Sequence, residues 1–171
     1  MRFAVLIPTL VLAAASLLGA APPKPASTTP AASVRWVALE QGAKGVSKSG
    51  KHLFVSVYTD WCGYCRKLNA VTFKASPVIA ELNRNFESVR LNAESDAKVI
   101  WKGKALSSRQ LAEDWGVEGY PTLLFLNPKG EIVGSFSSYA EPDLMLKLLT
   151  YISSGARERK ISFEDFVGGK S

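Results

Sequence analysis

The sequence predicts an α/β fold in which a mixed central sheet carries helices on both faces. Three observations predict it. A β-branched and aromatic run at residues 52–59 (HLFVSVYT) is short and bounded by turn residues, as a buried central strand is. Strand-like and helix-like segments alternate along the chain, an order that calls for helices packed on a sheet. Residues 122–126 and 131–136 flank Asn127-Pro128-Lys129-Gly130, a tight-turn tetrapeptide, so the last two strands pair as a hairpin.

The remaining elements follow in chain order. Order begins near Val34, and residues 39–47 form a first helix stopped by Ser49-Gly50. After the strand at 52–59, residues 63–74 suit a helix. Ser76-Pro77 opens the next one, with Ser as N-cap, Pro at the first helical position, and Val78, Ile79 and Leu82 on one face. Residues 86–91 read as a second core strand, and 92–104 as a polar loop containing Trp101 and Gly103. Ser107 or Ser108 starts a helix through Trp115, which Gly116 ends. Trp101 and Trp115 are assigned to the core or to this inserted region. Residues 142–152 close the domain as a helix with Leu144, Leu148 and Leu149 inward, and 162–167 form a last helical turn on the surface. No internal repeat is visible.

A chain of 171 residues accommodates one compact core plus tails. Residues 1–21 have the layout of a secretory signal: Arg2 is the positive n-region, residues 3–18 are apolar apart from Pro8, Thr9 and Ser16, and Gly19-Ala20-Ala21 offers a small-residue cleavage region. The alternative is an uncleaved membrane anchor. With no cysteine at the end of the apolar run, a lipid-anchored cysteine is excluded. Cleavage implies an exported or periplasmic location. Residues 22–33, rich in Pro, Ala, Ser and Thr, read as a flexible linker; 34–155 form the domain and 156–171 a C-terminal tail. Lys and Arg outnumber Asp and Glu by 21 to 15 but are scattered, which argues against nucleic-acid binding and fits a soluble basic surface.

The chemistry concentrates at Cys62-Gly63-Tyr64-Cys65, directly after the central strand. A disulfide across two intervening residues closes almost no loop, so it adds little by restricting the unfolded chain. A cysteine at the first turn of a helix, by contrast, sits among unpaired backbone N–H groups at the positive end of the helix dipole, which stabilises its thiolate. Cys62 occupies that place as the nucleophile. Cys65, three residues on and on the same face, can displace a partner from Cys62 and resolve a mixed disulfide. Other readings of the pair are weaker. Zinc would need four ligands, and the chain offers two cysteines and one distant histidine, His52. Haem attachment needs His after the second cysteine, where Arg66 stands. An inert structural bridge remains the alternative.

The segments YTDWCGYCRKL and GVEGYPTLLFLNPKGEIVGSF resemble the thioredoxin superfamily over residues 34–152. That resemblance implies a thioredoxin-like fold, no cofactor beyond a redox-active Cys62–Cys65 disulfide, and no metal. It implies a cis bond before Pro121, with Pro121 beside the cysteines and Tyr120 offering backbone groups to an extended substrate segment. Trp61 would shield the site at its rim, and Gly63 and Tyr64 would tune it. The region 92–115 and the run from Thr72-Phe73 to Ser76-Pro77 resemble periplasmic thioredoxin-like proteins, among them a sulfur-oxidation thioredoxin and the C-terminal domain of a transmembrane disulfide reductase. The resemblance thus implies a monomeric reductant of client proteins with disulfides, fed by a membrane electron donor. The sequence departs from the family in two places. Where ordinary thioredoxins hold a buried Asp it has Ser56, so proton handling would pass to water or to Asp60. The dipeptide is Gly-Tyr, a pair also found in periplasmic disulfide isomerases, so isomerase or weak oxidase action is one alternative function and a redox-inert client-binding module another.

Overall fold

The computed structural model describes residues 33–169, so the signal and most of the linker expected from the sequence lie outside the described residues. The chain runs β1 (Trp36–Val37), α1 (Leu39–Ser49), β2 (His52–Tyr58), α2 (Gly63–Ala70), a 3-10 turn (Thr72–Lys74), α3 (Ser76–Asn85) and β3 (Phe86–Asn92). It continues through β4 (Lys98–Trp101), β5 (Lys104–Ser107), α4 (Ser108–Asp114), β6 (Thr122–Leu126), β7 (Ile132–Ser137), α5 (Pro142–Ser153) and α6 (Phe163–Val167). Five strands form the main sheet in the order β1-β3-β2-β6-β7. β1, β3 and β2 are parallel, whereas β6 runs antiparallel to both β2 and β7, so the sheet is mixed as expected.

Alternation along β2 divides the core in two. Phe54 points to the face covered by α2, α3 and α5, where Leu68, Ile79, Leu82, Met145 and Leu149 pack with it. Leu53, Val55 and Val57 point to the opposite face, where Leu39 and Val46 of α1 and Leu111 of α4 meet them. β2 is therefore buried on both sides over residues 53–57, which its continuous apolar run foreshadows.

Several boundaries differ from the sequence reading, each for a physical reason. The helix expected at 63–74 stops at Ala70. There Thr72 donates its hydroxyl to the Ala140 carbonyl at 2.7 Å, Phe73 is buried, and the chain turns tightly to make both contacts. Ala75, not Ser76, is the N-cap of α3; Ser76 is already helical and gives no side-chain cap, leaving Pro77 in the first turn. The stretch read as a polar loop holds β4 and the turn of the hairpin β4–β5, made by Lys102 (φ 48) and Gly103 (φ 79), and β5 runs on from it to Ser107. At the start of α4, Ser107 is the cap: its hydroxyl accepts from Gln110 N–H while the Gln110 side chain accepts from Ser107 N–H. On α5 the fully buried residues are Met145, Leu149 and Ile152; Leu144 and Leu148 are half-buried on its flank. Beyond α5 the chain stays packed: Ala156 is buried, and Tyr151 donates its hydroxyl to the Ile161 carbonyl and lies edge-on to Phe163 and Phe166 of α6.

Candidate active site

The central strand ends at Tyr58, and four residues carry the chain from it to α2. Cys62 is the N-cap of α2, in extended conformation, and its Sγ accepts the Cys65 N–H at 3.0 Å. Sulfur thus occupies the place that a Ser or Asp oxygen takes at an ordinary helix start, where backbone donors lack partners. No acidic side chain stands in the first turn of α2 to offset the positive end of the dipole. Cys62 and Cys65 are joined as a disulfide, with their Cα atoms 5.2 Å apart, and both residues are buried.

Two aromatic residues flank this bond and are mostly exposed, Trp61 at 65% and Tyr64 at 64%. Each is held. The Trp61 indole N–H donates to Glu94 Oε1 at 2.8 Å, and its ring lies edge-on to Tyr120 with centroids 6.0 Å apart. Glu94 is fixed in turn, its N–H donating to Asn92 Oδ1 and its carbonyl accepting from Arg109. Tyr64 stacks on Tyr139 at 6.2 Å, and the Lys67 ammonium sits 4.2 Å over the other ring of that pair, Tyr139. Glu141 accepts from both Lys67 Nζ and the Tyr139 hydroxyl. The hydrogen bond to Glu141 raises the Lys67 pKa, against a smaller opposing effect of burial.

The Tyr120–Pro121 bond is cis, and Pro121 is buried at the entry to β6. Trp61 and Tyr120 are in contact, although 59 positions separate them in the chain. Gly63 faces open space, with only the Arg66 guanidinium near a Cβ built there, at 3.8 Å. Ser56 is buried on the α2-covered face of β2, and no Asp or Glu is buried among the described residues. Asp60 is exposed; its carboxylate accepts from Asn92 and its carbonyl from Arg66, so it closes the loop before Cys62. The sequence reading missed Glu94, Arg109, Lys67, Tyr139 and Glu141, which join the site through contacts between distant segments. It also missed Thr59, whose buried hydroxyl has no hydrogen-bond partner among the described residues.

A family model of the thioredoxin-like domain matches residues 39–153, two thirds of the chain, and spans every residue just described at the site. The chain belongs to the thioredoxin-like family. A protein of known structure from Bacteroides thetaiotaomicron, described as a candidate disulphide-isomerase, is 32% identical over 71% of this chain and 93% of its own, with TM-score 0.54. The thioredoxin of Thermus thermophilus shares the fold with TM-score 0.60 at 23% identity, over 74% of this chain and 93% of that one. Among curated proteins, the protein disulfide-isomerase of Zea mays is 27% identical over 58% of this chain, which spans 17% of that longer protein. The close cysteine pair and these relatives place this thioredoxin-like chain in a family of thiol–disulfide oxidoreductases and isomerases.

Proposed function

We propose that the protein is exported and reduces disulfides of client proteins, receiving electrons from a membrane donor. The observation that carries the redox reading is the Cys62–Cys65 disulfide at the start of α2, with Cys62 Sγ already accepting a backbone N–H. Reduction by the donor opens this bond and leaves two thiols. The Cys62 thiolate, stabilised by the helix start, attacks one sulfur of a client disulfide; a Cys62–client bond forms and the other client sulfur leaves as a thiolate. Cys65 loses its proton and attacks Cys62 Sγ, which restores the Cys62–Cys65 disulfide and releases the second client thiol. Two electrons pass to the client, which takes up two protons. With Ser56 where a carboxylate would stand, water receives the Cys65 proton. Trp61 and Tyr64 give an extended client segment apolar contact on either side of the sulfurs, and Tyr120 lines the same edge.

In a dithiothreitol-driven insulin reduction assay the protein accelerates turnover, Cys62→Ser removes that acceleration, and Cys65→Ser accumulates a mixed disulfide through Cys62. No turnover by the parent, with no loss on Cys62→Ser, would leave only a redox-inert client-binding module. Equilibration with glutathione tests direction, with a potential expected nearer the thioredoxin value of about −270 mV than the oxidase value of about −120 mV. A value above about −150 mV removes the reductase reading, and one near the disulfide-isomerase value of about −180 mV favours the second reading, isomerase or weak oxidase action, which the disulfide-isomerase names of the curated relatives support. Export is tested by sequencing the N-terminus of the protein recovered from outside the cytoplasm, where a start near residue 22 is expected.

A further inference from the structure

At the end of the sheet away from the cysteines, α1, the β4–β5 turn and the β6–β7 turn enclose a cleft of about 520 Å³. Leu53 at the cleft stands five positions before Tyr58, the end of β2 that leads to the disulfide, about 17 Å at ~3.3 Å per residue. The interior is apolar: Val46 and Leu53 are buried core residues whose edges reach it, and Trp101 and Pro128 complete the lining. Ile100 at its mouth is 40% exposed and adds apolar surface to the entrance.

The rim is basic. Four lysines, Lys44, Lys48, Lys102 and Lys129, line the cleft against a single carboxylate, Glu40. Glu40 is already taken by Lys44 at 2.8 Å. None of Lys48, Lys102 and Lys129 makes an ion pair with a described residue. The nearby Glu131 carboxylate is held by the Asn127 side-chain amide at 2.7 Å, within the β6–β7 turn. Three cations from three separate elements thus surround one apolar hollow, and the one carboxylate lining it among the described residues, Glu40, is already paired with Lys44.

The walls are fixed by short-range packing. Gly130 adopts φ 72, and a Cβ there would lie 2.9 Å from Lys102 Cε and 3.1 Å from the Trp101 ring, so the two turns meet through a residue without a side chain. Asn127 Oδ1 accepts from the N–H groups of Lys129 and Glu131, which sets the direction of the second turn. Trp101 is braced from behind by Trp115, edge-on at 5.3 Å. A preformed hollow of this size, apolar inside with a few charged groups at its edge, has the character of a small-molecule site.

We propose that this cleft binds a small organic anion, an acyl or aryl group bearing a carboxylate or sulfonate. The hydrocarbon body lies against Trp101, Leu53 and Val46, and the anionic head is shared by Lys48, Lys102 and Lys129. The probe for the test is anilinonaphthalene sulfonate, with decanoate as competitor. One probe per chain binds saturably, decanoate displaces it while decyltrimethylammonium does not, and the Trp101 indole cross-peak shifts in the nitrogen–proton correlation spectrum. Lys102→Glu with Lys129→Glu weakens binding by about tenfold or more, with the circular dichroism spectrum unchanged. Lys98→Glu with Lys104→Glu, on the same hairpin but outside the cleft, changes it by less than about twofold. Cys62→Ser with Cys65→Ser leaves binding intact, so the site stands or falls separately from the redox reading. Non-saturable binding, equal weakening by both lysine pairs, equal displacement by the cationic amphiphile, or an unmoved Trp101 signal overturns the proposal.

Discussion

His52 begins β2 with its ring 6.3 Å from that of Phe86, and burial lowers its pKa; Glu158 opposes the shift and Arg157 adds to it. A histidine that protonates less readily when folded leaves the unfolded chain holding more protons in acid. Its contribution to stability is therefore complete above the unfolded value near 6.5 and is lost as pH falls below it toward the folded value. His52→Gln is expected to flatten urea-unfolding stability against pH across that window, while leaving insulin reduction at neutral pH unchanged. At the active site the same scale explains what a linear reading could find. Cys62 and Cys65 are three positions apart and carry their geometry in their spacing. Tyr64 with Tyr139, Lys67 with Glu141 and Trp61 with Glu94 are joined only by the folded chain, so no local pattern marks them.

Between elements, close approach governs more than propensity. Gly42 lies on the inner face of α1, where a Cβ would come within 2.9 Å of both Leu53 and Val89 on the sheet. At Gly45, one turn on, the three nearest atoms all belong to the Glu87 side chain, the closest at 3.0 Å. Helix propensity alone would stabilise both Ala variants by about 1 kcal/mol. The expectation separates them: Gly42→Ala costs about 1–3 kcal/mol because two buried side chains must move, whereas Gly45→Ala is neutral or stabilising by up to ~1 kcal/mol because a carboxylate arm can swing away. Chemical denaturation of the two variants checks this. The same scale shows where sequence patterns failed. β2 announces itself because it is buried on both faces, but β4 and β5 place Val99 and Leu106 inward with charged or exposed neighbours, too short an alternation to stand out over four residues each. The early end of α2 was hidden for a different reason: it is set by Thr72 docking onto a loop 68 residues away and by burial of Phe73 against Trp36 and Phe54.

At the largest scale the sheet stands between two apolar layers. Phe54 anchors one, with Phe73, Phe86 and Phe125 ring centroids at 6.0, 6.5 and 5.6 Å, and it is fully buried. Phe54→Ala is expected to cost about 3–5 kcal/mol. Trp36 packs on the Phe54 side and Trp115 on the other, so each layer has its own fluorescent reporter. Single-tryptophan variants retaining one or the other should unfold at the same denaturant concentration, and in Phe54→Ala both midpoints should fall together, because one cooperative unit spans the sheet. Central placement of β2 has a further consequence for how the sulfurs are carried. Strands shielded on both faces release their amide protons only in the rarest, most complete openings of a protein. Residues 53–57 belong to that class, and Cys62 follows them by five positions. Electron exchange at the tip of such a strand needs no loosening of its mount, so the amides of 53–57 should be among the last to take up deuterium whether the sulfurs are joined or apart.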